Sequence, residues 1–332
     1  MHGFFNAKGV KMSKKNGFFK KAAFVGAAAG IASAAIGNWF VESFMSKNGI
    51  RKIIETEAGA PVSSEESRCF YESDEAIAGT EFYREKECEE IYLFNRYGYC
   101  LYADYYENEN PSDVYVISCH GFTGMPSQNS IFTKHFYEMG YNVVLPYLRA
   151  HGKSEHSYCT MGWLERLDVI DWINYIIDKN PCAKIILHGA SMGAATVMNV
   201  TGEKLPANVI CCIEDCGFTS LWEQYTVQIK GMTKIPADIV LGLVNTVTKR
   251  RLKFDIKENS PLEQVKKSST PTLFIHGDKD SVVPFWMQYP LYQNAECEKE
   301  RLVVPGATHA ASGYVYPEIY WGAVEKFINK YL

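Results

Sequence analysis

The chain has no Cys-x-x-Cys pair and no Cys/His cluster at metal-ligand spacing, although it carries ten cysteines and eight histidines. No metal site and no redox pair can therefore be read from it. Outside the N-terminus there is no long Lys/Arg block, and the formal net charge is −4. That leaves no basic field for nucleic acid, which is excluded as a partner. A disulfide framework is absent too: Cys119, Cys211 and Cys212 fall inside apolar, strand-like runs and read as reduced core residues. Disorder is excluded by a hydrophobic content of 47% over 332 residues, enough for one large α/β domain and an appendage.

One stretch departs from this background. Lys8, Lys11, Lys14, Lys15, Lys20 and Lys21 precede Ala22–Val41, 20 positions whose only clearly polar side chains are Ser33 and Asn38. At about 1.5 Å rise per residue such a helix reaches roughly 30 Å, the thickness of a bilayer core. Residues 1–45 are therefore expected to be a basic N-terminus and a single-pass anchor in the cell membrane. The lysine excess places their N-terminal side in the cytoplasm and the following domain outside. Two alternatives stay open. Ala32-Ser33-Ala34 has the small-x-small form of a signal-peptidase site, which would release the domain after export, and an Ala-rich soluble helix has the same composition. The reduced-looking cysteines argue against export, so the side of the membrane is undecided. Residues 46–88, rich in Glu, Ser and Lys, read as a juxtamembrane connector and an entry helix.

From residue 89 the pattern is that of a folded domain. Glu90–Arg96 and Cys100–Tyr106 flank Tyr97-Gly98-Tyr99 and predict an antiparallel hairpin. Val114–Cys119, Asn142–Pro146, Lys184–Leu187, Val209–Ile213, Thr272–Ile275 and Leu302–Val304 are short runs of Val, Ile and Leu, as in strands buried on both faces. Helical patterns at Ile131–Met139, Gly162–Ile177, Met192–Val200, Phe285–Gln293 and Pro317–Tyr331 alternate with most of them. The fold class is thus α/β, a mostly parallel central sheet flanked by helices over residues 89–332. A helical cap, residues 218–260, is inserted after the sixth strand.

The run Ile185-Ile186-Leu187-His188-Gly189-Ala190-Ser191-Met192-Gly193 is an apolar strand ending in G-x-S-x-G. Such a strand-to-helix turn lifts a serine clear of the sheet, which makes Ser191 the candidate nucleophile. Acyl transfer by serine also needs a base, a carboxylate to orient that base and donors for an oxyanion. His309 lies in the loop after the last strand-like run and is the candidate base. Asp278 and Asp280 compete for the acid in the loop after Thr272–Ile275; Asp280, further along and nearer to where His309 must be reached, is preferred. Asp215, at another strand end, reads as structural or as a back-up acid. The loop Ser118-Cys119-His120-Gly121-Phe122-Thr123-Gly124 and the residue after the nucleophile supply the two backbone N–H groups, those of Phe122 and Met192. His120 reads as a loop-ordering residue.

His120-Gly121-Phe122-Thr123-Gly124, Leu148-Arg149-Ala150-His151-Gly152-Lys153-Ser154, Gly189–Gly193, His276-Gly277-Asp278-Lys279-Asp280 with Val283-Pro284, and His309 together resemble the α/β-hydrolase superfamily. The resemblance covers the chain from about residue 90 onward. It points towards membrane-anchored bacterial members, similar to carboxylesterases, monoacylglycerol lipases and prolyl-oligopeptidase-like peptidases. It implies Ser191 as nucleophile, Asp280 as acid, His309 as base, and Phe122 with Met192 as oxyanion donors. One departure is Ala150, where many relatives have glycine. The expected activity is cleavage of carboxylic esters through an acyl-enzyme. The alternatives are a serine peptidase acting on short peptides and a non-enzymatic binding protein of the same fold. The expected partners are a small ester or acyl substrate and the membrane, with no metal or organic cofactor. Ile235, Pro236, Ile239, Val240, Leu243, Val244 and Val247 give the cap an apolar face that either lines an acyl pocket or packs the cap onto the core.

Overall fold

The computed structural model describes residues 34–58, 70 and 72–332. The short apolar runs assemble into one eight-stranded sheet of order β1-β2-β4-β3-β5-β6-β7-β8. β1 (Glu89–Phe94) and β2 (Cys100–Tyr106) form the expected antiparallel hairpin, and β2 pairs antiparallel with β4 (Asn142–Pro146). β3 (Val114–Cys119), β5 (Lys184–Ala190), β6 (Val209–Asp215), β7 (Thr272–Gly277) and β8 (Lys299–Val304) run parallel with β4. Successive side chains of a strand point to opposite faces. Ile117, Val144, Leu187 and Cys212 therefore enter one core, while Val116, Val143, Ile186 and Cys211 enter the other. This is why the strand sequences read as unbroken apolar runs.

The main helices are α1 (34–44), α2 (Lys47–Ala58), α3 (Asp74–Glu85), α4 (Ser130–Glu138), α5 (Glu165–Lys179), α6 (Met192–Thr201), α7 (Leu221–Met232), α8 (Ala237–Arg251), α9 (Gln288–Asn294) and α10 (Pro317–Ile328). α5 and α6 cover one face of the sheet together with α1, α7 and α8; α4 and α10 cover the other. α5 starts three residues later than its periodicity predicts. The Glu165 carboxylate folds back to accept from Thr160 N, Thr160 Oγ1 and Gly162 N, holding the preceding residues as a turn. The insertion after β6 is the helix pair α7 and α8. Buried Asn259 closes it by donating to the carbonyls of Thr160 and Met161.

The N-terminal region departs most from its sequence reading. Residues 22–33 of the expected membrane segment lie outside the described residues. Its last eight positions, 34–41, belong to α1, where Gly37, Phe40 and Val41 are buried. A Cβ on Gly37 would lie 2.8 Å from the Leu243 carbonyl oxygen and from Val247 Cγ2, so α1 crosses α8 in direct backbone contact. Apolar spacing on a helix is the same whether lipid or protein covers it, so the pattern alone did not separate the two. No helix among the described residues is long and apolar enough to cross a membrane. Within 46–88, α2 and α3 dock on the domain. Lys47 Nζ donates to the Ser154 carbonyl, Ile50 is buried, and α3 meets α4 through a Glu75–His135 pair at 2.7 Å.

Candidate active site

The site is built at the carboxyl ends of β3, β5, β7 and β8, where an open parallel sheet leaves its crevice. Ser191 stands between β5 and α6 with φ 56° and ψ −116°, a conformation in which a side chain is sterically strained. The strain is held by close packing. A Cβ on Gly193 would lie 2.0 Å from the Cys119 carbonyl oxygen, and one on Gly189 would lie 2.3 Å from Gly193. Ser191 N donates to the Asp215 carbonyl at 2.9 Å, locking the turn onto β6.

Three residues far apart in sequence meet here. Ser191 Oγ is 2.8 Å from His309 Nε2, and His309 Nδ1 is 2.8 Å from Asp280 Oδ2. With Nδ1–H donating to a carboxylate, Nε2 is left as an acceptor facing the hydroxyl. Asp280 Oδ1 accepts from the backbone N–H groups of Val282 and Val283, each at 2.9 Å, so the carboxylate cannot rotate. Burial alone would raise its pKa; the hydrogen bonds from His276 and His309 outweigh that and bring it down to about 2. Asp278 points elsewhere: its Oδ1 accepts from Gly306 N at 2.7 Å and ties the β7 loop to the β8 loop. Asp215 is fully buried with no close hydrogen-bond partner for either oxygen. Burial pushes it up to about 7, against the pull of His276 and His309.

His276, part of the sequence motif that ends at Asp280 but given no role there, stands four residues before Asp280. It is buried, its Nε2 donates to the Val283 carbonyl at 2.9 Å, and the same nitrogen lies 3.3 Å from Asp280 Oδ2. Desolvation would lower its pKa, but Asp280 and the neighbouring Glu214 raise it. Glu214 itself is pushed up to about 8 by burial, so Glu214 and Asp215 form a buried pair of weakly ionised acids beside the His276 imidazole.

The loop after β3 leans on Ser191: a Cβ on Gly121 would sit 3.5 Å from Ser191 Cβ. Neither Phe122 N nor Met192 N has a hydrogen-bond acceptor among the described residues. His120 holds this loop, its Nδ1–H donating to the Gly121 carbonyl at 2.8 Å and its Nε2 accepting from Leu148 N at 3.1 Å. Burial lowers its pKa to about 3, which keeps the ring neutral and able to do both. The next loop is anchored by Arg149, buried and bidentate on Asp168 at 2.7 Å for both bonds. Ala150 takes φ 64° there, the left-handed region that glycine enters without strain.

Ser191 opens into a cavity of about 340 Å³ whose walls include Phe40, Phe44, Phe122, Met161, Phe218, Tyr225 and Met232. Thr123, Ser191, Gln224 and Gln228 are its polar members, and a mostly apolar lining of this kind suits an acyl or aromatic group. α7 contributes Tyr225 and Met232 to this wall, whereas Val240, Leu241, Val244 and Val247 of α8 pack into the core. Phe40 and Phe44 come from α1, a contribution no local pattern announced. Cys216, Asp280 and His309 are, among the described residues, the only group of side chains close enough together to share a metal ion. Two of them already form the hydrogen-bonded chain to Ser191, and burial holds the Cys216 thiol well above its usual pKa, so this donor set is poorly suited to a metal.

A sequence profile for the alpha/beta hydrolase fold matches residues 114–234. The chain is 27% identical over 260 residues to the uncharacterized protein YqkD of Bacillus subtilis, covering 78% of this chain and 85% of that protein. It is 25% identical over 240 residues to a thermostable monoacylglycerol lipase of Bacillus sp. strain H-257, covering 67% of this chain and 93% of the lipase. Among solved structures, an esterase of Pyrococcus furiosus superposes with a TM-score of 0.60 at 24% identity, over 74% of this chain and 93% of the esterase.

Proposed function

We propose that this chain, whose residues 114–234 match the profile of the alpha/beta hydrolase fold, is a serine hydrolase cleaving carboxylic esters of apolar acyl groups, with Ser191 as nucleophile. The observation that carries this reading is the unbroken hydrogen-bonded chain Ser191–His309–Asp280, whose Ser191 lines an apolar pocket. His309 Nε2 takes the Ser191 proton as Oγ attacks the ester carbonyl. The tetrahedral oxyanion is received by the N–H groups of Phe122 and Met192, and Asp280 stabilises the imidazolium. The C–O bond to the alcohol breaks, His309 returns the proton to the departing alkoxide, and the acyl group stays on Oγ. A water, deprotonated by His309, then adds to the acyl carbonyl, Ser191 leaves with the proton, and the free acid is released. Likeness to a monoacylglycerol lipase and to an esterase supports the ester class.

The test uses the full chain on p-nitrophenyl esters of graded acyl length beside aminoacyl anilides. Ester turnover that Ser191→Ala lowers by roughly 10⁴-fold or more is expected. Retained turnover in that variant removes Ser191 from the chemistry, and preferential cleavage of the anilides makes the protein a peptidase instead.

A further inference from the structure

The loop that carries Asp280 is held from two sides. Asp280 Oδ1 takes the N–H groups of Val282 and Val283, and the carbonyls of the same two residues go to different partners. That of Val283 accepts from His276 Nε2 at 2.9 Å, on the domain's own β7. That of Val282 is served by the cap. Gln224 Nε2 and Gln228 Nε2, both on α7, donate to it at 2.9 Å each, and among the described residues no backbone N–H does. Positions four apart lie on one face of a helix, so α7 presents both amides to a single oxygen. Docking the cap does not call for this arrangement. Leu221, Tyr225 and Ile229 of α7 are buried and fix the helix on the domain by apolar packing. The loop is exposed at Ser281 and Val282, where water serves a carbonyl equally well. Gln224, only 6% exposed, stands there instead, and its Oε1 is buried without a partner, which costs stability.

We infer that Gln224 and Gln228 are positioning residues for Asp280: through the Val282–Val283 peptide, the cap helix sets the orientation of the carboxylate that holds His309 against Ser191. The inference rests on the serine-hydrolase reading of these three residues. The Val282 carbonyl and the Val283 N–H belong to one peptide plane and point in opposite directions. Fixing the oxygen therefore fixes the N–H, and that N–H, at 2.9 Å, fixes Asp280 Oδ1. Hydrogen bonds in such a chain also polarise one another, so a carbonyl that accepts twice has a stronger N–H donor behind it. With Oδ1 held, Oδ2 stays on His309 Nδ1 at 2.8 Å. Neither glutamine touches the reacting atoms. The cap is thus a support of the acid as well as a wall of the pocket, and a displacement of α7 loosens Asp280. Gln224, Gln228, Val282 and Val283 line the pocket together with Ser191, so a group that fills it presses on the clamp and reaches the nucleophile at once.

The test removes both donors without adding charge. In the full chain, Gln224→Met with Gln228→Met should slow the labelling of Ser191 by a fluorophosphonate about 30-fold, and either substitution alone only about threefold, since one amide still holds the oxygen. In an Asp280→Asn background the same pair should leave the labelling rate within about twofold, because the path to His309 is already cut. Equal slowing in both backgrounds means that the glutamines act on the pocket or on the fold, and overturns the inference. Should the double variant fail to fold, Gln228→Met alone, at the half-buried position, is compared in the two backgrounds by the same criterion. Proton NMR supplies a readout that needs no catalysis. The proton between His309 Nδ1 and Asp280 should give a far-downfield resonance, identified by its loss in His309→Gln, that moves upfield or broadens in the double variant; a resonance unchanged in position and width overturns the inference. If fluorophosphonate labels wild type and Ser191→Ala alike, the serine-hydrolase reading has failed, and the proton resonance still decides whether the glutamines hold Asp280.

Discussion

Asp280→Asn probes the proposed triad at one point while leaving the shape of the site intact. In the native site Asp280 Oδ1 accepts from Val282 N and Val283 N, and Oδ2 accepts from His309 Nδ1. Asparagine keeps a carbonyl oxygen for the two backbone amides and turns its NH₂ towards His309. Two donors cannot face each other, so His309 adopts the other tautomer and presents Nε2–H to Ser191 Oγ. The base is then occupied before the reaction starts. The expected fall in kcat/KM for a short p-nitrophenyl ester is about 10⁴-fold, or about 5 kcal/mol of transition-state stabilisation. Stability falls as well. A carboxyl at about 2 in the folded protein, against about 3.9 unfolded, corresponds to roughly 2 to 3 kcal/mol at neutral pH. Because the folded pKa is depressed, that contribution is complete above about pH 4 and is lost as pH falls towards 2. The gap in urea midpoint between wild type and variant should accordingly narrow below pH 4. Asp215 offers no rescue, since burial holds it at about 7 and it is largely uncharged at pH 6. Activity within tenfold of wild type in Asp280→Asn, lost only when Asp215→Asn is added, would refute this reasoning and make Asp215 the orienting acid.

Other substitutions separate packing from chemistry. Gly193→Ala places a Cβ 2.0 Å from the Cys119 carbonyl oxygen, so the elbow must move; a loss of about 2–4 kcal/mol in chemical denaturation is expected together with lost esterase turnover. Arg149→Met strands the buried Asp168 carboxylate and should destabilise by about 3–5 kcal/mol, much of it recovered when Asp168→Leu is added; thermal melts of the single and double variants check this. Phe40→Ala removes a buried wall of the pocket, with an expected loss of about 3 kcal/mol in stability and a shift of the best p-nitrophenyl ester to a longer acyl chain. An unchanged chain-length profile would mean the acyl group lies elsewhere.

Much of the fold was legible because its signals are local. Strands buried on both faces show as short runs of Val, Ile and Leu, and all of the expected runs became strands, with β5, β6 and β7 extended by a few residues into the site. The cap was legible as a break in the alternation. G-x-S-x-G was legible because backbone packing forbids a Cβ at either glycine, a demand visible in the residues themselves. The start of α5 was misplaced because Glu165 bonds backward to Thr160 and Gly162, and apolar periodicity carries no record of a capping carboxylate. The role of His276 went unread for a related reason: its partners Asp280 and Val283 are near in sequence, but only the bend of the β7 loop turns them towards one imidazole nitrogen.

The sequence by itself determined the α/β class, the order of the strand ends and the residue types standing at them, since these follow from periodicity and backbone sterics within a few residues. Tertiary structure alone decided which carboxylate meets His309. Asp278 and Asp280 differ by two positions, yet one faces Gly306 and the other the imidazole. It also decided what covers the apolar end of α1, because burial against Leu243 and Val247, some two hundred residues away, is a contact between surfaces that each look only apolar in sequence. Local chemistry is written in neighbours along the chain; the choice among equivalent partners is made by packing across it.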